Sequence, residues 1–261
     1  MSSLLCFRVM FIDDRAIIKV ARGSQQRATA PIALMAASEA DLSRILQRGH
    51  AVKGSGRKLA NSRILEVTFD SRLITVAGPV LGAPQAAMVL ENLIALGSRA
   101  IVVLGWCGSL RESVRIGDWF LPTAALSEEG TSLHYPCADH KFEPDHYLTA
   151  KLLDFCAHKG SRLHTGQVWT TDAFYRETAR KVTTYGAAGA IAVEMEMSAL
   201  MRIARYRGIR LTGLLVVSDE LFTLKWRPGF DLPSFKRSCG LAVKTVLEFS
   251  ANLYDQLHLT D

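Results

Sequence analysis

Two short segments place acidic side chains where an apolar run ends. Glu194-Met195-Glu196 follows an apolar run and opens an amphipathic segment that reaches Gly208. Ser218-Asp219 directly follows the apolar run Leu211–Val217. A carboxylate in such a position can accept hydrogen bonds from both hydroxyls of a ribose, while a methionine packs against the sugar face. The first segment therefore indicates a sugar site, and the second offers a further carboxyl nearby.

Each segment also has an interpretation without chemistry. Glu194 and Glu196 would favour the positive end of a helix dipole, and this is the commoner role of a lone glutamate there. Ser218 or Asp219 after a strand is typical of a helix N-cap. The pairing of two carboxylates around a methionine is what favours binding.

Short apolar runs alternate with segments of helical periodicity, which predicts an α/β domain. The strands are expected at Ile32–Met35, Leu73–Ala77, Ile101–Leu104, Trp119–Ala125, Gly166–Thr171 and Leu211–Val217. The helices are expected at Pro84–Leu96, at Glu196–Arg207 and from about Ser234 onward. Ligands of such sheets collect at the carboxyl ends of strands. Four segments qualify for that position: Gly78–Gly82, Gly105–Gly108, Glu194–Glu196 and Ser218-Asp219.

Composition limits the class of protein. The chain has 261 residues, 49% of them hydrophobic and 21% charged, with a formal net charge of +6. The basic residues are scattered, so the charge is weak support for an anionic partner and gives no reason to expect nucleic acid.

The five cysteines have neither CxxC nor metal-type spacing, which favours reduced thiols in the cytoplasm and no metal site. No secretory signal and no apolar run long enough for a membrane span is expected.

Six motifs in order carry a family resemblance: AGPVLGAPQAA, GWCGSLRESVRIGD, EEGTSLHY, TTDAFY, VEMEMSA and GLLVVSDE. Together they resemble the nucleoside phosphorylase/nucleosidase superfamily, which includes the purine nucleoside and uridine phosphorylases, over roughly Ile32 to Phe249. The resemblance implies a single α/β domain over 31–261, preceded by an N-terminal extension over 1–30. Its central mixed, twisted sheet would be partly barrel-like and flanked by helices.

The resemblance also assigns roles to site residues. Asp219 would protonate, or hydrogen-bond to, the purine N7 as the glycosidic bond breaks, because a departing purine gathers negative charge that a positioned acid neutralises. The other roles are ribose binding by Glu196, Met195 and Glu194, and base binding by Phe174, Cys107, Gly108 and Ser218. No cofactor is implied beyond phosphate as a co-substrate, and the assembly would be a homo-oligomer, from dimer to hexamer.

The signal for the base is mixed. Uridine phosphorylases read uracil with a Gln and an Arg after the Phe-Tyr pair, and here Arg180 would keep the Arg while Thr178 replaces the Gln. Asp219, which uridine phosphorylases lack, favours a purine.

The phosphate site departs most from the family pattern. Ala37 and Asp41 stand where the family has Gly and Arg, and Val103 and Trp106 stand where it has Arg and Ser or Thr. Arg44 lies near but out of register. The remaining phosphate candidates, all weak, are Arg63 or Arg57 and Gly82.

A neutral strand end beside Asp41 would repel phosphate, since each lost charge-assisted contact costs about 1.5–3 kcal/mol. Three interpretations therefore stay open. The chain is a phosphorylase; or it is a nucleosidase in which Glu194 or Glu196 orients a water; or it is a catalytically weakened relative that binds a nucleoside or nucleotide. Trp106 could shield, stack in or fill the pocket.

Overall fold

The computed structural model describes residues 16–22, 28–59, 61–137, 141–157 and 159–256. Most of the extension predicted over 1–30, including Cys6, lies outside these residues. Within the described part, no helix is long and apolar enough to cross a membrane.

Strands and helices alternate along most of the chain. The strands are β1 Ile32–Ala36, β2 His50–Ala51, β3 Arg57–Leu59, β4 Ser62–Phe69, β5 Arg72–Gly78, β6 Ala100–Ser109, β7 Trp119–Ser127, β8 Leu163–Thr170, β9 Ala190–Glu194, β10 Arg210–Glu220 and β11 Arg227–Pro228. The helices are α1 Glu39–Arg48, α2 Ala83–Leu96, α3 His146–Cys156, α4 Ala179–Ala187, α5 Met197–Arg207 and α6 Pro233–Gln256, with short 3-10 helices at Thr131–His134 and Phe174–Arg176.

One mixed sheet joins all of these strands. Its order is β11-β10-β7-β8-β9-β6-β1-β5-β4-β2, with β3 paired to β4 and a further pairing between β10 and β6. The β10–β6 pairing closes β10, β7, β8, β9 and β6 into a ring, while β1, β5, β4 and β2 extend from β6 as an open sheet. Parallel pairs such as β1–β6 and β6–β10 stand beside antiparallel pairs such as β4–β5. The predicted fold, a mixed and partly barrel-like sheet, is confirmed.

Successive side chains of β1 and β6 point to opposite faces of the sheet, and both faces are buried because helices cover each of them. Ile32, Leu34, Val102 and Leu104 face the cluster that α6 covers. Their neighbours along the strands, including Ala33 and Val103, face the cluster covered by α2 and α5. The central strand β6 is thus held rigidly between two cores, and its carboxyl end is a fixed platform for a site.

Candidate active site

The carboxyl ends of β6 and β10 meet at Gly108 and Asp219. The parallel pairing of these strands shifts register between Val217 and Asp219, so Ser218 forms a bulge and Asp219 pairs with Gly108. A Cβ on Gly108 would lie 3.0 Å from Asp219 Oδ2 and 2.5 Å from Leu221 Cδ1. The absence of a side chain at Gly108 therefore makes room for the Asp219 carboxyl.

Two sequence expectations are wrong here. We expected β6 to end near Leu104 with a loop over Gly105–Gly108, but the strand runs to Ser109 and these residues lie within it. We also allowed Ser218 or Asp219 to cap a helix, but β10 continues through both to Glu220, and no helix follows there. Glycine within a buried strand, and a bulge near its end, both resemble strand termini in a sequence.

Asp219 is 3% exposed. Its Oδ1 lies 2.6 Å from Ser218 Oγ, and its Oδ2 accepts a hydrogen bond of 3.0 Å from the indole Nε1 of Trp226. Burial raises the pKa of Asp219, hydrogen bonds from Ser218 and Trp226 oppose this, and the charge of Glu220 adds to the rise. The carboxyl therefore retains a proton to higher pH than an exposed aspartate does.

The contacts of Ser218 also favour a protonated Asp219. Ser218 Oγ lies 3.2 Å from the Cys107 carbonyl oxygen as well as 2.6 Å from Asp219 Oδ1. A hydroxyl carries one proton, so it cannot donate to both acceptors. The Cys107 carbonyl therefore competes with Asp219 Oδ1 for the Ser218 proton, which weakens the hydrogen bond that opposes the rise in the pKa of Asp219.

Aromatic rings stand beside this acid. Trp226 packs edge-on against Phe174, with ring centroids 6.0 Å apart, and lies 6.4 Å from the ring of Phe230. Phe174 is half-buried, as a side chain that stacks on a base would be, whereas Tyr175 next to it is 94% exposed. Sequence reasoning missed Trp226, whose only signal was an aromatic residue in a polar loop shortly after the predicted acid.

Glu194 is the last residue of β9 and caps the N-terminus of α5. Its Oε2 accepts hydrogen bonds of 2.7 Å from the backbone N–H groups of Glu196 and Met197, and its Oε1 accepts one from the Thr170 hydroxyl. The interpretation without chemistry, in which the carboxylate lies at the positive end of a helix dipole, therefore describes Glu194 well. Glu194 holds the start of α5 rather than pointing a free carboxylate into the site.

Glu196, in contrast, reaches out of the helix. Its Oε1 accepts a 2.6 Å hydrogen bond from the backbone N–H of Gly82, in the loop before α2. Burial and the neighbouring charge of Glu194 raise the pKa of Glu196. Met195, between the two glutamates, is half-buried. Gly82, predicted as a weak phosphate contact, directs its N–H to Glu196 instead.

A buried chain of hydrogen bonds, the relay, connects Glu194 through Thr170 and Ser198 to Glu129. Glu129 accepts hydrogen bonds of 2.8 Å from the hydroxyls of Ser127 and Ser198 and one of 2.9 Å from the Ser132 N–H. Ser198 N–H in turn donates to the Thr170 hydroxyl at 3.0 Å. Burial opposes the charge of Glu129, yet these hydrogen bonds lower its pKa overall. Sequence reasoning missed Glu129, although it lies in one of the motifs.

Asp41 and Trp106, which stand at two of the positions where the family has phosphate ligands, contact each other. Asp41, 1% exposed, accepts hydrogen bonds from Trp106 Nε1 at 2.6 Å, Ser38 Oγ at 3.0 Å and Arg44 Nη1 at 2.8 Å. Trp106 packs edge-on against Phe235, with centroids 5.2 Å apart. Burial raises the pKa of Asp41, and these partners oppose the rise. Trp106 is thus held by one hydrogen bond and by ring packing.

The remaining predicted residues make other contacts. Arg63 pairs with Glu39 at 2.5 Å on the surface. Arg180 is exposed in the first turn of α4, and Thr178 is the N-cap of that helix, its hydroxyl accepting from the Lys181 N–H. Cys107 is buried within β6, where burial and the charges of Asp219 and Glu194 raise the pKa of its thiol. Among the described residues, no group of three or more His, Cys, Asp or Glu could hold a metal ion.

Comparisons with known proteins show the family to which the chain belongs. The family model described as "Phosphorylase superfamily" matches residues 31–247. A guanosine phosphorylase of Halorubrum lacusprofundi is 29% identical over 159 residues, covering 61% of this chain and 66% of the relative. A DeoD-type purine nucleoside phosphorylase of Bacillus cytotoxicus is 30% identical over 158 residues, covering 60% and 67%. The matched region thus spans about two thirds of the length of these relatives.

Solved structures show the same fold. Purine nucleoside phosphorylase from Toxoplasma gondii, in complex with immucillin-H, superposes with a TM-score of 0.79 at 22% identity and covers 93% of this chain and 99% of its own. Uridine phosphorylase from Vibrio fischeri ES114 gives a TM-score of 0.77 at 20% identity, covering 86% of this chain and 93% of its own.

Proposed function

The chain belongs to the phosphorylase superfamily, and from this premise we propose that it cleaves the N-glycosidic bond of a purine nucleoside with inorganic phosphate as the acceptor. The observation that carries the proposal is that two buried carboxyls, those of Asp219 and Glu196, lie at the same end of the sheet, where β6 pairs with both β10 and β9. The proposed substrate class agrees with the names of the guanosine and purine nucleoside phosphorylases that the chain resembles.

In the proposed reaction the base lies between Phe174 and Asp219. As the glycosidic bond breaks, the electron pair goes to the purine and the sugar becomes oxocarbenium-like. Asp219 gives its proton to N7 and so neutralises the leaving group, a contribution of about 10²–10⁴-fold. Glu196 exchanges its hydrogen bond from Gly82 for the ribose hydroxyls, while Glu194, held by the helix N-terminus and Thr170, keeps Glu196 in place.

A second candidate, hydrolysis, is supported by the Asp41–Trp106 contact. A buried carboxylate and an indole stand where the resemblance places phosphate ligands, and a carboxylate would repel that anion. In that case water attacks the sugar, and phosphate plays no part.

One assay separates these candidates. Purified protein is incubated with guanosine, inosine, adenosine and uridine, with and without phosphate, and free base, ribose and ribose 1-phosphate are measured. The proposal expects phosphate-dependent release of purine with ribose 1-phosphate as co-product. Release of ribose without phosphate selects hydrolysis, and ligand binding without any release indicates a weakened relative.

Two further proposals concern assembly and location. We expect a homo-oligomer, from dimer to hexamer, working in the cytoplasm on a small-molecule nucleoside. Light scattering of the purified protein tests the first, and cell fractionation tests the second.

A further inference from the structure

The chain that leaves Asp219 returns to it in a short hairpin between β10 and β11. The two strands pair antiparallel, with Glu220 opposite Arg227. Successive side chains of a strand point to opposite faces. The indole of Trp226, just before β11, donates a hydrogen bond to Asp219, whereas Arg227 forms an ion pair with Glu220. One face of the hairpin therefore holds the proposed acid and its indole partner, and the other face holds an ion pair.

Backbone pairing alone gives this hairpin little stability. β11 is only two residues long, so it forms few ladder hydrogen bonds with β10. One further backbone bond follows the strand, from the Gly229 N–H to the Ser218 carbonyl at 2.8 Å. A slip of the pairing by one residue would turn the Trp226 side chain to the opposite face. The position of the indole thus depends on contacts that fix the register.

Glu220 makes contacts of this kind with both of its carboxylate oxygens. Its side chain is 4% exposed, and Oε2 accepts a hydrogen bond of 2.9 Å from Arg227 Nη1. Oε1 lies 3.1 Å from Arg115 Nε and accepts a hydrogen bond of 3.2 Å from the Ile116 N–H, in the segment between β6 and β7. A buried carboxylate keeps such partners, because leaving it unpaired is costly. Glu220 therefore ties the hairpin to the body of the protein.

We propose that Glu220 and Arg227 are positioning residues, whose ion pair fixes the register of the β10–β11 hairpin and keeps the indole N–H of Trp226 on Asp219. The effect on rate rests on the proposed purine nucleoside cleavage, whereas the effect on the indole does not. Without the ion pair the indole leaves Asp219, and the carboxyl loses a hydrogen bond that opposes the rise in its pKa.

The test compares the alkaline limb of the pH profile of kcat in the wild type, in Arg227→Gln, in Arg227→Lys and in the control Lys225→Gln, with thermal melting checked for each. Arg227 and Lys225 are both exposed in the hairpin, so the control removes the same charge and leaves the ion pair intact. Arg227→Gln should move the limb to higher pH by about one pH unit, because Asp219 loses a hydrogen bond. Arg227→Lys, which keeps an ion pair with Glu220, and the control should keep the wild-type limb.

A double variant shows whether the ion pair acts through the indole. Arg227→Gln combined with Trp226→Phe should have the same alkaline limb as Trp226→Phe alone, because no indole N–H is left to displace. Limb shifts that add in the double variant would mean that the ion pair acts on Asp219 by another route, and they overturn the proposal.

The NMR signals of the indole N–H groups give a second readout that needs no activity. The chain has four tryptophans, and the signal lost in Trp226→Phe is that of Trp226. Arg227→Gln should shift this signal and leave those of Trp106, Trp119 and Trp169 in place, whereas Lys225→Gln should shift none of them.

In an active wild type, an alkaline limb or a Trp226 signal that Arg227→Gln leaves unchanged overturns the assignment, as does an equal change in Lys225→Gln. If the wild type releases no base from any nucleoside, the proposed function fails separately, and the indole signal alone decides. A Trp226 signal shifted in Arg227→Gln then supports the positioning role, and an unchanged signal refutes it.

Discussion

The indole Nε1 of Trp106 lies 2.6 Å from Oδ2 of Asp41, and this contact joins the first turn of α1 to β6. The protein thereby places a carboxyl of its own, hydrogen-bonded by Arg44 and Ser38, beside an indole, at two sequence positions to which the family resemblance assigns phosphate ligands. Whether phosphate or water attacks the sugar depends on whether phosphate can bind beside Asp41 and Trp106.

Asp41→Asn should lower the KM for phosphate about 10-fold. The substitution removes a negative charge and frees the Arg44 guanidinium, which then offers an anion a charge-assisted hydrogen bond. The measurement is the initial rate against phosphate concentration at saturating guanosine, with Glu112→Gln as a control that removes an exposed negative charge elsewhere. A KM for phosphate that rises or stays constant would show that phosphate does not approach Asp41.

Trp226→Phe should move the alkaline limb of the pH profile of kcat to higher pH. The indole N–H stabilises the ionised form of Asp219, so its removal raises the pKa of the carboxyl and extends the range in which the acid holds its proton. Phenylalanine keeps an aromatic ring against Phe174. An alkaline limb that stays in place, or moves to lower pH, would show that Asp219 is not the group whose titration governs kcat.

Gly108→Ala should reduce kcat/KM about 10–100-fold. The new Cβ would lie 2.5 Å from Leu221 Cδ1, 3.0 Å from Asp219 Oδ2 and 3.1 Å from Val193 Cγ1, so the carboxyl must shift. Overpacking of this kind also costs about 1–3 kcal/mol of stability, which urea unfolding measures. Gly56→Ala is the control, because its Cβ meets nothing within 4 Å. Full activity of Gly108→Ala would mean that the position of Asp219 is not critical.

Ser198→Ala should raise the KM for guanosine about 3–10-fold and leave kcat nearly unchanged. The substitution removes one hydrogen bond to Glu129, worth about 1 kcal/mol, and loosens the relay through Thr170 and Glu194 that places Glu196. With 2′,3′-dideoxyguanosine, which lacks the hydroxyls that Glu196 would bind, the effect should vanish. An equal loss on both nucleosides would indicate a general structural defect instead.

The sequence predicted the fold well wherever hydrophobic periodicity was strong. The runs Ile32–Met35 and Leu211–Val217 lie within β1 and β10, and Pro84–Leu96 lies within α2, which ends at Gly97 in the left-handed conformation with φ 116°. The predicted helix from Glu196 is confirmed to within one residue. Helix α1 was missed because its polar residues outnumber its apolar ones, and its formation depends on the Ser38 cap and on packing against α6.

The candidate site was predictable only in part. Residues in ordered motifs, such as Glu196 and Asp219, were found, because their types and positions after apolar runs are visible in the sequence. Trp226 was not found, since it acquires its place from a loop that returns to Asp219 only in the folded chain. The bulge at Ser218 also could not be predicted from the sequence, because a register shift depends on the partner strand.

The central claim is that Asp219 is the acid that releases a purine. The most direct measurement is the rate of free guanine release from guanosine, in the presence of phosphate, by the wild type and by Asp219→Asn. We expect release by the wild type and a fall in kcat of about 10²–10⁴-fold in the variant, with the thermal transition retained. Guanine release at the wild-type rate by Asp219→Asn would contradict it.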